Sequence, residues 1–445
     1  MLSDKFIQKS RRSLFLFPLL VFFSVSISAQ SDSLLMDATL NNIIQYTVKR
    51  QPRVQQALAD EQITALQIKS RLADWYPQIN FNYLYQHNFE VQTNIIGGNP
   101  VRLGVGNTSA MQFSASQTIF NRDVLLAKQT RSQVLQQASQ LTEDTRIDAV
   151  VTVSKAFYDV LATEQQIKVA NENIVRLEKS LSDARSRYDA GIVDKTDYKR
   201  ATIALNNARA SRKMNEEALK AKTEYLKSVM NYPSEGSLKI VYDSASLENE
   251  IVVDTLQQID YSKRIEFQLL ETQRKLLEAN VKYNRWSYLP SLSANAAYNF
   301  NFLNDQFTKL YRQTYPNSFA GFTLSFPIFQ GGKRKYEIQV AEWQLRRADI
   351  ELTNLKNSFN AEYQLALGSY KSSLANYRAV RENVLLAQEV YDVIRLQYNS
   401  GLKTYLELIT AETDLRTAQI NYFNALYQVL TSKIDVQRSL GVIQF

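Results

Sequence analysis

The sequence predicts an α+β membrane protein: long coiled-coil helices forming a helical barrel that continues a transmembrane β-barrel shared between chains. A two-fold internal repeat and four strands per chain complete the expectation. Three observations carry it. Glycine (12) and proline (8) are scarce in a chain of 445 residues, which leaves few turns and favours a few very long elements. Landmarks recur in the same order in both halves of the chain. The hydrophobic period is two in four short stretches and heptad-like over much longer ones.

The N-terminus comes first. Lys5, Lys9, Arg11 and Arg12 precede an apolar run over 14–27, which ends in Ile27-Ser28-Ala29. This is the three-part pattern of a cleaved secretory signal over 1–29. The run is short for an uncleaved membrane anchor. Those four basic residues less Asp4 account for +3 of the formal +8, leaving about +5 for the mature chain. That modest charge, on a secreted chain, argues against a nucleic-acid partner. Charged residues are 22% and no later stretch is long and apolar enough for a spanning helix, so a membrane crossing must use strands.

The repeat divides the rest. Tyr76-Pro77-Gln78-Ile79 matches Leu289-Pro290-Ser291-Leu292, an offset of 213 from 76 to 289. Ile119-Phe120-Asn121 matches Ile328-Phe329-Gln330, an offset of 209 from 119 to 328. Arg185, Tyr188 and Gly191 match Arg395, Tyr398 and Gly401 at an offset of 210. Two copies of one unit are therefore expected, at 30–230 and 251–445, joined by a linker over 231–250 that carries Pro233 and Gly236.

Within the first unit a helix is expected over roughly 30–75. Then Ile79, Phe81, Tyr83 and Tyr85 alternate with Asn80, Asn82 and Gln86, which reads as a strand with one apolar and one wet face over about 79–91. A returning strand over about 108–120 carries Met111, Phe113 and Ala115. The second copy gives strands over about 291–303 and 318–328. His87 falls on the apolar-side register, where an interfacial position suits it better than a metal site. Trp75 and Trp286 flank the strand starts, and suit either an interfacial belt or packing at the junction.

Residues 123–187 and 332–397 contain no proline and, past Gly332, one glycine, Gly368. At 1.5 Å per residue such a helix is about 98 Å long. Ile167, Ala170, Ile174, Leu177, Leu181, Ala184 and Tyr188 follow an unbroken 3-4 spacing, as do Tyr377, Val380, Val384, Ala387, Tyr391, Ile394 and Tyr398. These are coiled-coil seams. Gly191 and Gly401 close the long helices as left-handed caps. Asp194 with Asp197, and Thr404 with Glu407, are spaced as capping boxes that start the next helices. Each unit thus has a helical hairpin at one end and a strand hairpin at the other.

Four strands cannot close a barrel, and open sheet edges are not tolerated in lipid. Several chains must therefore share one barrel, with the helices extending the tube. The absence of cysteine and the single histidine, His87, exclude thiolate metal sites, cysteine nucleophiles and disulfides, and leave no histidine triad. No enzyme activity and no cofactor are expected.

The duplicated strand-helix layout and the paired motifs Tyr188-x-x-Gly191-x-x-Asp194-x-x-Asp197 and Tyr398-x-x-Gly401-x-x-Thr404-x-x-Glu407 resemble the TolC family of outer membrane efflux proteins, over essentially the whole mature chain. The resemblance implies a homotrimer in outer membrane lipid with a periplasmic helical tunnel. It implies a passive exit duct for a tripartite efflux pump or type I secretion system, working with a periplasmic adaptor and an inner-membrane transporter of RND, ABC or MFS type. Carried over residue by residue, the family's aperture links fall on Asp197 with Tyr398 and on Thr196 with Lys403. Lysine lacks the planar fork of the family's arginine. One aperture carboxylate falls on Glu407, and the position of a second is Thr410. Helix capping is the simpler role for Asp197 and Glu407, and both roles can coexist. The tips at Gly191, Ile192, Gly401 and Leu402 are the expected adaptor contacts. The alternative, a periplasmic coiled-coil adaptor, would have one hairpin and glycine-rich β-domains.

Overall fold

A computed structural model describes residues 35, 37–242 and 244–445; the signal segment expected over 1–29 lies outside them. Four strands make one antiparallel sheet in the order β1 (Gln78–His87), β4 (Asn107–Phe120), β5 (Ser291–Asn304), β6 (Tyr315–Ser325). The central pair, β4 with β5, joins the two repeats, and Met111 stands opposite Phe300. Ile79, Phe81, Phe113, Tyr298 and Phe300 fall on one face, while Asn80, Asn82, Gln112, Asn299 and Asn317 fall on the other. Strands β1 and β6 are the edges of the sheet, each paired on one side only among the described residues.

Three sequence expectations need correction. The first strand stops at His87, short of 91, because the chain leaves the ladder for a separate hairpin of β2 (Thr93–Ile96) and β3 (Asn99–Arg102). Its turn is Gly97-Gly98, both at positive φ, the conformation that a two-residue hairpin loop demands. The last strand spans Tyr315–Ser325 in place of 318–328. It ends before Pro327, which has no N–H to give a ladder, and it tolerates Pro316 because it is an edge strand. The helix expected over 30–75 is two helices, α1 (Leu40–Arg50) and α2 (Pro52–Ala73). Pro52 forces Gln51 out of the helical region and then starts α2 from its first position.

The long helices are α3 (Arg122–Asp189, 68 residues) and α7 (Lys333–Asn399, 67 residues). At 1.5 Å per residue each runs about 100 Å. They pair antiparallel with α4 (Lys195–Met230) and α8 (Tyr405–Leu440), and α3 also packs on α8, so that the two hairpins lie side by side. The seams are the buried stripes. Ala170, Ile174, Leu177 and Ala184 are buried on α3, and Tyr377, Tyr391 and Tyr398 on α7.

The largest core lies midway along the helices. Ile43 of α1, Phe157 and Leu161 of α3, Leu226 of α4, Tyr370 of α7 and Leu430 of α8 meet there. The connection between the repeats wraps this core and contains α5 (Ser244–Asn249). It is pinned by tyrosine hydroxyls. Tyr370 donates to the Ile251 carbonyl at 2.8 Å and Tyr363 to the Gln257 carbonyl at 2.7 Å. Arg264, just before α6 (Ile265–Arg285), is buried over the Phe359 ring. It donates to Glu266 at 2.9 Å, to Glu362 at 3.0 Å and to the Ser439 carbonyl at 3.0 Å. That guanidinium ties the second repeat's short helix to both α7 and the end of α8.

Candidate functional site at the helical tips

Each hairpin turns through a glycine that must be left-handed. Gly191 has φ 72° and Gly401 has φ 78°. The N–H of Ile192 donates to the Arg187 carbonyl at 2.9 Å, and that of Leu402 to the Gln397 carbonyl at 2.9 Å, which is the long bond of a Schellman cap. No atom lies within 4 Å of where a Cβ would stand at either glycine. The requirement for glycine is therefore conformational, with no neighbour to clash. Ile192 is 70% and Leu402 77% exposed, an apolar side chain at the apex of each hairpin.

The next helices start differently from one another. Thr404 accepts from the Glu407 N–H at 3.4 Å, while the Glu407 carboxylate accepts from the Thr404 N–H at 2.9 Å and its hydroxyl at 3.0 Å. This is the full capping box, and losing the threonine side chain costs about 1 kcal/mol. Asp194 accepts from the Thr196 N–H at 3.0 Å, but Asp197 returns no side-chain bond to residue 194, its carboxylate being one methylene shorter than glutamate. One reciprocal box forms where the spacing predicted two.

Lys403 donates to Glu407 at 2.6 Å. That bond first, then the backbone and side chain of Thr404, pushes the Glu407 carboxyl down to about 2. A depressed carboxyl stabilises the fold above its ordinary 4.5, and that contribution is lost as pH falls toward 2. The group is exposed, so salt screens much of the effect.

Tyr398 is buried, 4% exposed, where the two hairpins meet. The Arg187 guanidinium lies 4.5 Å from its ring centroid and donates to its backbone carbonyl at 3.4 Å. Tyr405 meets the ring edge-on at 6.1 Å. Burial pushes the Tyr398 hydroxyl up; Arg187 opposes this, and the Asp197 and Asp183 carboxylates add to it. Asp197 is thus close enough to act on Tyr398, yet neither expected aperture link is closed within the chain among the described residues. Lys403 is taken by Glu407, and the Thr196 N–H by Asp194. The sequence reading missed Arg187. The signal available was an arginine on α3 facing a seam that carries tyrosine at 363, 370, 377, 391 and 398, a seven-residue period interrupted only by Val384.

Away from the tips, His87 bonds Asn107 at 2.8 Å, and no cluster of metal-ligating side chains occurs among the described residues. Trp75 lies beneath the ammonium of Lys128 on α3, 5.3 Å from the ring centroid, so packing at the junction is part of its role.

With this geometry in place, the comparisons with known proteins decide the family. The family model for outer membrane efflux proteins matches residues 43–231 and 262–442, one block in each repeat. The chain belongs to the outer membrane efflux protein family. It is 19% identical to the outer membrane protein TolC of Escherichia coli over 442 residues, covering 96% of this chain and 86% of TolC. It is 22% identical to the alkaline protease secretion protein AprF of Pseudomonas aeruginosa over 304 residues, covering 66% of this chain and 62% of AprF. The crystal structure of the outer membrane protein VceC of Vibrio cholerae matches with a TM-score of 0.72 at 13% identity, covering 90% of this chain and 96% of VceC. This outer membrane efflux protein is accordingly an efflux or secretion channel of the outer membrane, with a helical extension into the periplasm. Its family is one of channels, not enzymes, and the adaptor alternative falls with that assignment.

Proposed function

We propose that three copies of the mature chain share one β-barrel and one helical tunnel, forming a passive exit duct that is gated at the helical tips, where it narrows to a small resting aperture. The observation that carries this reading is the sheet with two open edges. Strands β1 and β6 are each unpaired on their outer side among the described residues, and the sheet's aromatic face suits lipid while the opposite Asn and Gln suit a wet lumen. In lipid an unpaired edge leaves backbone groups unsatisfied at several kcal/mol each, so closure between copies is the available solution. The two repeats over 30–230 and 251–445 act as equivalent sixths of the ring of helices and strands, joined by 231–250 after removal of 1–29.

The hairpin apices, Gly191-Ile192 and Gly401-Leu402, receive a periplasmic adaptor that couples the duct to an inner-membrane transporter. Asp197, Tyr398, Thr196, Lys403 and Glu407 hold the aperture narrow, with Asp197 meeting Tyr398 and Thr196 meeting Lys403 across neighbouring hairpins. Reconstitution into planar bilayers tests the reading. Discrete current steps of one small resting size are expected from purified, detergent-solubilised protein. A protein that inserts with its β-structure intact and passes no current would refute it.

A further inference from the structure

One buried charge in the hairpins takes no part in capping or turn formation. Glu412 of α8 is 2% exposed, and neither of its carboxylate oxygens has a hydrogen-bond partner. Arg176 of α3 stands beside it, with Nε 3.5 Å from Oε1, too poorly aligned to donate. Burying a carboxylate without hydrogen bonds is costly, and the nearby positive charges offset only part of that cost.

Every helix packed around the site brings an ionisable group. Arg176 comes from α3, Arg200 from α4, Arg395 and Tyr391 from α7, and Arg416 and Tyr405 from α8 itself. The Tyr405 hydroxyl and the Arg416 Nε are also without partners. A cavity of about 290 Å³ between α3, α4 and α8 opens onto Glu412, lined by Asn173, Arg200, Asn207 and Arg416 among others, which gives water and protons a route. The site lies in the layer where the two hairpins pack, beside the cluster that contains Tyr398, Tyr405 and Leu408.

We propose that Glu412 is a proton-sensitive tie between the two hairpins, keeping the region behind the tips packed while it is neutral and loosening it when it ionises. Its effect on current rests on the gate reading above; its effect on packing does not.

The sign follows from burial. Desolvation pushes the Glu412 carboxyl from 4.5 up to about 7, against the opposing pull of Arg176, Arg416 and Arg395. Any loosened arrangement that wets Glu412 returns it toward 4.5. Between those values the packed form holds a proton that the loosened form has lost, so packing is stabilised at low pH and weakened as pH rises through about 7. From about pH 6 to about pH 8 the ratio of packed to loosened hairpin should fall roughly tenfold per chain. Acidification therefore favours closure. The depressed Glu407 cap acts only at far lower pH, so the two do not overlap.

The test compares the full-length protein with Glu412→Gln and, separately, with Arg176→Met, measuring thermal unfolding and bilayer current from about pH 5.5 to 8.5. The wild type should melt lower and open more often as pH rises, and Glu412→Gln should flatten both profiles. In Arg176→Met the midpoint should move to higher pH, because the group that favours ionisation is gone. If Glu412→Gln does not fold, the Arg176→Met midpoint decides. Equal slopes in wild type and Glu412→Gln, or an unmoved midpoint in Arg176→Met, would overturn the proposal. A melting difference with pH-independent current would overturn the coupling to the gate while leaving the channel reading in place. If the wild type passes no current at any pH, the channel reading fails and the melting profiles alone decide the tie.

Discussion

Replacing Gly191 and Gly401 together by valine should abolish export while leaving the assembled protein at normal abundance in the outer membrane. Both glycines sit at φ above 70°, where a Cβ-bearing residue costs about 1–2 kcal/mol. A β-branched side chain is worse still in that region. The surrounding space is empty, so the strain cannot be blamed on a clash. It is relieved by unwinding the cap, which releases the Ile192 and Leu402 N–H bonds and redirects the two exposed apolar side chains. The largest core, midway along the helices, and the sheet lie far from this change. A transport assay with immunoblotting of the outer membrane fraction reads both halves. Normal export in the double variant would show that the apices are not where the adaptor docks.

Opening of the proposed aperture should be the second large effect. Tyr398→Phe with Lys403→Ser removes the hydroxyl that faces Asp197 and the ammonium that binds Glu407. Each polar link is worth only a net of about 0.5–1.5 kcal/mol. In the proposed trimer, threefold symmetry would nevertheless apply two such links per chain to a single aperture. Their sum, of a few kcal/mol, biases a closed-open equilibrium by more than about tenfold. Resting current in planar bilayers should rise by at least that factor. Arg187→Ala offers a comparison, because it strips the stacked guanidinium from Tyr398 without touching either expected link. Unchanged current in the double variant would assign these residues to capping and packing alone.

What could be read beforehand depended on whether local chemistry or long-range packing decides the element. Gly191, Gly401, Thr404 and Glu407 act on their own backbone, and their spacing is visible in any copy of the motif. The seams at 167–188 and 377–398 were legible for the same reason, since a heptad is a local pattern with a tertiary consequence. The break at Gln51 was also written locally, in Pro52, but was passed over within a helical stretch. Gly97-Gly98, between Ile96 and Asn99, carried the turn signal of the extra hairpin.

Other features belong to the fold alone. The segment Phe307–Arg312 folds back over the sheet, where the Tyr311 hydroxyl meets those of Tyr83 at 2.8 Å and Ser109 at 3.3 Å. Nothing in its sequence names those partners. Glu412 follows the seam residue Ala411 and reads as a solvated flank. The packing of the two hairpins around α8 buries it. Lys403, in the turn before α8, also gives its ammonium to Glu407 in the first turn of that helix, a contact that the spacing of 403 and 407 could have suggested.

Edge-to-edge cross-linking tests the shared barrel most directly. The chain has no cysteine, so every disulfide formed must come from an introduced pair. Asn82→Cys on edge strand β1 would be combined, in turn, with cysteine at Tyr315, Asn317, Phe319 or Gly321 on edge strand β6, all on the same polar face of the sheet. Within one chain β1 and β6 are separated by two intervening strands, a distance of about 14 Å at the usual strand spacing. A disulfide needs Cα atoms within about 7 Å, so bridging inside the chain is excluded. If β6 pairs with β1 of a neighbouring copy, at least one combination should give covalent dimers and trimers in outer membranes under mild oxidation, with a closed trimer as the largest product. Monomers alone in every combination, from protein that is folded and inserted, would contradict the shared barrel.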